Sequence, residues 1–149
     1  MSLLLIAFAA ALALISLGGA FYELSVVDPF WPRRPDLVQP AAGGISRRRF
    51  WIPAHVAFEL LLIASLIVFW PEHDIRTWLL IGTASYAVMR LWSAFDFIPR
   101  ALAFERAAPE SITESAARAW TRRSHIRLPL DLVTCTALLS AFATAVRLG

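Results

Sequence analysis

The sequence contains no lysine and a single cysteine, Cys135. One cysteine excludes a disulfide framework or a pair of reactive thiols within the chain. All 14 basic residues are arginine, which we attribute to the coding bias of a GC-rich genome and not to a functional demand. No basic residue precedes the first hydrophobic segment, so we do not expect a cleaved signal peptide.

Apolar residues dominate what the sequence does contain. Of the 149 residues, 58% are hydrophobic, and the mean hydropathy is +0.62, whereas soluble domains are closer to half apolar. The net charge of +3 and the pI near 10 suggest nucleic acid as a partner, but no nucleic-acid-binding motif accompanies them. The composition therefore predicts one integral membrane domain whose partner is the lipid bilayer, with no nucleic acid bound.

Four hydrophobic segments are long enough to cross a bilayer, and they predict an all-α fold built as a four-helix transmembrane bundle. We place the spans at residues 3–22, 50–70, 75–97 and 126–148. The second span has 21 residues and reaches roughly 30 Å, the thickness of the hydrocarbon core. Two long loops, 24–49 and 98–125, connect the first span to the second and the third to the fourth.

The arginines orient the predicted bundle. Four spans put both termini on one side of the membrane and both long loops on the other. Ten arginines lie in those loops: Arg33, Arg34, Arg47, Arg48, Arg49, Arg100, Arg106, Arg118, Arg122 and Arg123. The opposite side offers only Arg76 and Arg147. The positive-inside rule therefore predicts cytoplasmic loops and non-cytoplasmic termini in a bacterial inner membrane.

Local signals predict how the connecting segments are built. The prolines and glycines of residues 24–49 argue against a helix there. Asp74 is expected to cap the third span after a tight turn. Pro99 is expected to break or kink the chain, and Ser111 with Glu114 has the capping-box spacing that opens an amphipathic helix.

Ionisable residues cluster at one level of the predicted bundle. His55 and Glu59 lie four residues apart in the second span, so they share one helix face. At about 1.5 Å per residue, six more lie within about 10–12 Å of the same depth. These six are Glu23, Arg90, Asp96, His125, Arg127 and Asp131. Ionisable groups inside a membrane span are costly and usually functional, so the cluster predicts a polar pocket that opens to the cytoplasm.

Each of these residues also has a structural interpretation. Arg90 would neutralise Glu59, since a buried charge needs a partner. Arg127 and Asp131 are four residues apart and would pair with each other. His125 follows two arginines and would be solvated among the lipid headgroups.

The cluster allows more than one chemistry. His55 and Glu59 have the make-up of a general acid/base and its orienting group. With Glu23 and Asp131 they would bind a metal in the manner of carboxylate bundles, although the Glu-x-x-His spacing of such sites is absent. His55 and His125 would be axial ligands of a haem. We expect no cofactor, and leave metal and haem open at this point.

Short motifs resemble one family of small membrane proteins. Residues 18–23 (GGAFYE), followed by VVDP at 26–29, resemble the close of the first helix in the anthrone oxygenase-like family of four-span membrane proteins. FIPR at 97–100 and WTRRSHIR at 120–127 are similar to that family's exit from helix three and entry to helix four. The order agrees along nearly the whole chain, whereas GGISRRRFWIPAH at 43–55 departs from the pattern.

The resemblance implies a cofactor-independent oxygenase of polycyclic phenols in some members of the family, and no known activity in many others. The best-marked positions of the family fall here on Tyr22, Glu23, Trp120, His125 and Arg127.

We therefore expect a small membrane enzyme that takes a proton from a hydrophobic substrate entering from the lipid. The predicted catalytic residues are His55, Glu59, Arg90, His125, Arg127 and Asp131. The predicted substrate contacts are Tyr22, Glu23, Tyr86, Trp92, Asp96 and Trp120. The alternative is a non-enzymatic binding or assembly subunit whose internal charges are structural. A proton-coupled transporter is a third hypothesis; it would need a homo-oligomer, because four spans are few and no inverted repeat is visible.

Overall fold

The computed structural model describes residues 2–148, and no strand occurs within them. Its α-helices are α1 (Ser2–Tyr22), α2 (Arg48–Val68), α3 (His73–Trp92), α4 (Ile98–Arg106), α5 (Glu114–His125) and α6 (Leu128–Leu148). Two π-helical turns, Glu23–Val27 and Ser93–Phe97, extend α1 and α3. The prediction of an all-α chain is confirmed.

The long helices α1, α2, α3 and α6 form a bundle. Helix α1 packs against α2 and α6, and α3 packs against α6, whereas α2 and α3 contact each other little. The bundle core consists mostly of small and aliphatic side chains such as Ile6, Ala9, Leu79 and Leu138. Gly82 lets α3 approach α6, because a Cβ built there would lie 2.8 Å from Cδ2 of Leu138. Small residues at helix interfaces are typical of bundles in membranes.

Three helical segments of residues 2–148 are long and apolar enough to cross a membrane. They are Ser2–Val27, Arg48–Val68 and Glu114–Leu148, the last of which joins α5 to α6. The prediction of membrane-spanning length and composition is confirmed for these three. Helix α3 falls short because Asp74, Arg76 and Arg90 lower its hydropathy.

The structure corrects the expectation that prolines keep residues 24–49 non-helical, and of the expected break or kink at Pro99 it excludes the break. Much of the first segment is helical, as the π turn after α1 is followed by three short 3-10 turns. Their prolines lie at the first or second position, where an N–H is not needed. Helix α4 follows Ser93–Phe97 directly. A π turn widens the helix before Pro99, which relieves the clash that its ring would otherwise cause.

Two predicted caps lie at other residues. Helix α3 begins at His73, one residue before Asp74, and Glu72 is its N-cap. Thr113 caps α5 by accepting a hydrogen bond from the Ala116 N–H at 3.3 Å. The predicted Ser111 cap is wrong because Pro109 starts a 3-10 turn that takes up Ser111.

The segments between the long helices fold together into a second core, which we call the aromatic cap. Its buried side chains are Val27, Trp31, Val38, Phe97, Ala117 and Trp120, surrounded by Trp92, Ala101, Phe104 and Ile112. The buried Gln39 amide donates to the carbonyls of Phe104 (2.6 Å) and Ala107 (2.9 Å), which ties the two segments together. The predicted loops 24–49 and 98–125 are therefore one folded unit at the end of the bundle.

Exposed ion pairs hold the edge of the aromatic cap. Glu114 Oε1 accepts hydrogen bonds from Arg118 Nε at 2.7 Å and from Arg33 Nε at 3.0 Å. Hydrogen bonds from Arg118 and then Arg33 lower the pKa of Glu114 below its ordinary value. Surface pairs of this kind contribute little to stability, so the buried side chains carry most of the aromatic cap.

Candidate active site between the bundle and the aromatic cap

A cavity of about 470 Å³ lies where the bundle meets the aromatic cap. This volume is within the range of small-molecule pockets. Eight of the predicted site residues line it, namely Glu23, His55, Tyr86, Arg90, Trp120, His125, Arg127 and Asp131. The rest of the wall is largely apolar, with Phe58, Met89 and Phe97 among its side chains.

His55 starts a chain of hydrogen bonds between α2 and α3. Its Nδ1 lies 3.0 Å from the Tyr86 hydroxyl, which donates to Glu59 Oε1 at 3.0 Å. Arg90 Nε donates to the same Glu59 oxygen at 2.9 Å. The expected pairing of Arg90 with Glu59 is confirmed. Glu59 lies outside the cavity wall and reaches His55 only through Tyr86.

The direction of these bonds sets the tautomer of His55. The Tyr86 hydroxyl has one hydrogen and donates it to Glu59. The hydrogen between Tyr86 and His55 must therefore come from His55 Nδ1. In a neutral imidazole this leaves the lone pair on Nε2, so His55 is prepared to act as a base at that atom.

Trp51 holds the ring of His55 from one side. The two rings stack with 5.4 Å between their centroids and 22° between their planes. Trp51 Nε1 donates to Glu23 Oε1 at 2.8 Å. Glu23 thus orients Trp51, which in turn limits the movement of His55.

Arg127 enters the cavity from the start of α6. Its Nη1 donates to Ser93 Oγ at 2.8 Å, and its guanidinium carbon lies 4.3 Å from the centroid of the Phe97 ring. The considered pairing with Asp131 does not form; Arg127 instead contacts Ser93 and, through Nε, the Ser124 carbonyl at 3.3 Å. Asp131 lines the cavity one turn further along α6 without an ion-pair partner in residues 2–148.

His125 is held in the wall by a carboxylate that the sequence did not single out. Its Nε2 lies 2.7 Å from Asp28 Oδ2, and Asp28 Oδ1 accepts a hydrogen bond from Trp31 Nε1 at 3.2 Å. The expectation that His125 is simply solvated is therefore wrong. The two partners are 97 residues apart in sequence, and no local pattern reveals such a contact.

Arg47 is a further charged residue of the cavity wall that sequence reasoning missed. Its guanidinium lies 5.2 Å from the ring centroid of Trp31 and 5.6 Å from that of Trp120. Arg47 Nε is 3.6 Å from Glu23, and its Nη2 is 3.6 Å from Asp28. Both nitrogens are buried without a hydrogen bond. Arg47 therefore joins the bundle to the aromatic cap.

A spacing signal for Arg47 was present in the sequence. Arg47, Trp51, His55 and Glu59 recur every four residues, which places them along one helix face. Within the arginine run 47–49, Arg47 and Arg48 line the cavity, whereas Arg49 is exposed and does not.

Three predicted substrate contacts lie outside the cavity wall. Tyr22 is 58% exposed at the end of α1. Trp92 packs in the aromatic cap, 5.4 Å from Phe97 between ring centroids. Asp96 pairs with Arg123 and, at 3.1 Å, with Arg100. Asp96 lies within the π turn Ser93–Phe97, which rotates it away from the helix face that an ideal α-helix would present. Tyr22 and Trp92 precede the two π turns and lie on helix faces that do not border the cavity.

The residues that could hold a metal or haem are the two cavity histidines and the carboxylates near them. Within residues 2–148, no group of three His, Cys, Asp or Glu side chains has the arrangement of a metal site. His55 uses Nδ1 toward Tyr86 and His125 uses Nε2 toward Asp28. One nitrogen of each ring remains for another contact.

Comparisons with known proteins do not place the chain in a family. No protein-family model matches the sequence, and neither the curated proteins nor the solved structures give a match. The resemblance to the anthrone oxygenase-like family therefore stays a prediction.

Proposed function

We propose that the chain is an integral protein of a bacterial inner membrane, with four spans, cytoplasmic long loops and both termini outside. The ten arginines of the two connecting segments support this orientation. Helix α3 would be the fourth span, since it packs against α6 in the same bundle.

The function that we propose is enzymatic: binding of a hydrophobic, phenol-like molecule in the cavity and removal of a proton by His55. The observation that carries this proposal is the chain from His55 through Tyr86 to Glu59 at the edge of a largely apolar cavity. A base that is oriented by a hydroxyl and a carboxylate is a recurring arrangement in general acid–base catalysis.

The proposed reaction begins with transfer of a substrate proton to Nε2 of His55. The imidazolium that forms is stabilised by Glu59 through Tyr86, and the anion left on the substrate by Arg127. The carbanion next to an aromatic ring transfers one electron to O2, and the resulting radical and superoxide combine to form a carbon–peroxide bond. The peroxide takes back the proton from His55, and the hydroperoxide loses water to leave a carbonyl group on the substrate. No cofactor is required for these steps, in agreement with the activity that the resemblance implies.

The other predicted residues have supporting places in this proposal. Arg90 fixes Glu59. Asp131 faces the cavity and would accept a hydrogen bond from a substrate hydroxyl, while Trp120 would pack against an aromatic ring. His125, held by Asp28, would exchange protons with a substrate bound in the cavity.

O2 consumption with a panel of polycyclic phenols tests the proposal. We expect His55→Gln to lower turnover about a hundredfold, the size of a general-base contribution. His73→Gln is the matched control, because His73 is exposed at the first residue of α3 and lies outside the cavity. Turnover by His55→Gln equal to that of the wild type would disprove the proposed role of His55.

One observation favours a second candidate, the non-enzymatic binding or assembly subunit. The Arg90–Glu59 pair links α2 to α3, where the helices otherwise contact each other little, and about a third of each side chain is exposed. Such a pair would keep the helices in register or contact another subunit. Under this candidate, Glu59→Gln lowers stability. No protein, including the wild type, turns over any phenol of the panel.

A further inference from the structure

The cavity has an apolar mouth on the lipid-facing side of the molecule. Ile52 and Val56 on α2 and Ile98 on α4 line the cavity, and they are also 56%, 50% and 42% exposed. A side chain that lines a cavity and is half exposed lies at its opening. The opening is therefore bordered by α2 on one side and by α4 on the other.

Two ion pairs frame this opening. Arg48 at the start of α2 forms an ion pair with Glu105 near the end of α4. Arg90 and Glu59 join α3 to α2 about three turns deeper. The helices α2 and α3 otherwise contact each other little. The opening of the cavity therefore lies between two ion pairs, Arg48–Glu105 and Arg90–Glu59, and apolar side chains border it between them.

The water-facing route into the cavity is closed by a contact. A groove of about 460 Å³ at the surface of the aromatic cap is lined by Pro32, Arg118 and Arg122, together with Asp28 and His125. Asp28 and His125 also line the inner cavity. Their 2.7 Å contact therefore forms part of the wall between groove and cavity.

We infer that the cavity is filled from the bilayer, through the mouth between α2 and α4, and that its ligand is an uncharged molecule dissolved in the cytoplasmic leaflet. An apolar border admits such a molecule without desolvation of a charge, whereas an ionic solute would have to cross it unpaired. This inference rests on the proposed function in one respect, that the cavity holds the ligand.

Cys135 is a natural reporter for the route. It lines the cavity and is the only cysteine in the chain, so thiol labelling of the intact protein in nanodiscs reads access to the cavity alone. The probes are a lipophilic maleimide and a sulfonated, membrane-impermeant maleimide. Rates are divided by the rate of each reagent with the denatured protein, which removes differences in intrinsic reactivity.

We expect the lipophilic reagent to label Cys135 at least about tenfold faster, a ratio equivalent to ~1.4 kcal/mol. Val56→Trp should narrow the mouth and slow that labelling several-fold, and Ile52→Trp is a second variant with the same expected effect. Ile63→Trp is the matched control on α2, because Ile63 is exposed to lipid and does not line the cavity. Ser115→Trp in the surface groove should also have no effect.

Equal labelling by both reagents, or slowing by Ser115→Trp and not by the mouth variants, would overturn the lipid route in favour of the groove. This failure is distinguishable from failure of the proposed function. A wrong route leaves the His55-dependent turnover of phenols intact, whereas a wrong function removes that turnover and leaves the labelling ratio unchanged.

Discussion

The half of the bundle that is remote from the cavity and the aromatic cap are built in opposite ways. The bundle core contains alanine, leucine and isoleucine and almost no ionisable group, and close approach of helices depends on small residues such as Gly82. The aromatic cap packs Trp31, Phe97 and Trp120 around the buried polar groups of Arg47 and Gln39. This difference explains the cavity. The small side chains of the bundle core and the large rings of the aromatic cap do not fill the volume where the two regions meet.

The largest effect should come from Arg47, which joins the two regions. Arg47→Leu leaves the carboxylates of Glu23 and Asp28 without their cation, and loss of one partner of a buried pair typically costs about 3–5 kcal/mol. We expect thermal unfolding in detergent to show an early transition from the aromatic cap, followed by that of the bundle. Arg49→Leu, at an exposed position of the same run, is the control, and an equal effect of the two substitutions would contradict the special role of Arg47.

The sequence could predict the long helices and the level at which their polar residues meet. Lengths and hydropathy predict the long helices, because burial in lipid acts on every residue of a span. The convergence of His55, Tyr86, Arg90 and Arg127 follows from the same reasoning, since depth is fixed by position along a helix.

Other parts of the site depend on contacts that no local pattern encodes. Asp28 meets His125 only after the aromatic cap has folded. The π turns after Tyr22 and Trp92 shift the helix faces beyond them, so an ideal helical period places Asp96 in the pocket incorrectly. Proline-rich composition suggested open loops, whereas aromatic packing holds these segments in short helical turns.

Gln39 tests whether the aromatic cap depends on buried polar contacts. Gln39→Leu removes donors to two carbonyls, those of Phe104 and Ala107, and a buried acceptor left unsatisfied costs about 1–3 kcal/mol. We expect about 2 kcal/mol of destabilisation, seen as faster proteolysis of residues 98–125 while the bundle stays protected. Uniform loss of protection across the whole chain would show that the two regions do not unfold separately.

Tyr86 tests the link between stability and chemistry at the border of the two regions. Tyr86→Phe removes the hydroxyl between His55 and Glu59 while its ring still packs against Phe58. We expect about 1 kcal/mol of destabilisation, the usual net value of one hydrogen bond, together with a larger loss of phenol turnover. Loss of stability with unchanged turnover in an active wild type would assign the chain of hydrogen bonds a structural role only.

The smallest effect is expected at the exposed edge of the aromatic cap. Arg118 and Arg33 lower the pKa of Glu114 from its ordinary value of 4.5. Its stabilising contribution is therefore complete above that value and is lost as the pH falls through the lower pKa of the folded state. Thermal unfolding between about pH 6 and about pH 3 should show this loss, and Glu114→Gln should lack that component. Identical pH profiles of the two proteins would contradict the assignment.

The most direct measurement of the central claim is mass spectrometry of small molecules that co-purify with the protein in detergent. Ala20 lines the cavity, so Ala20→Phe should fill part of it, whereas Ala11→Phe changes an exposed position of the same helix. We predict that the wild type and Ala11→Phe carry a hydrophobic aromatic molecule and that Ala20→Phe does not. An empty wild-type protein, or the same molecule bound equally to all three, would contradict a binding cavity between the bundle and the aromatic cap.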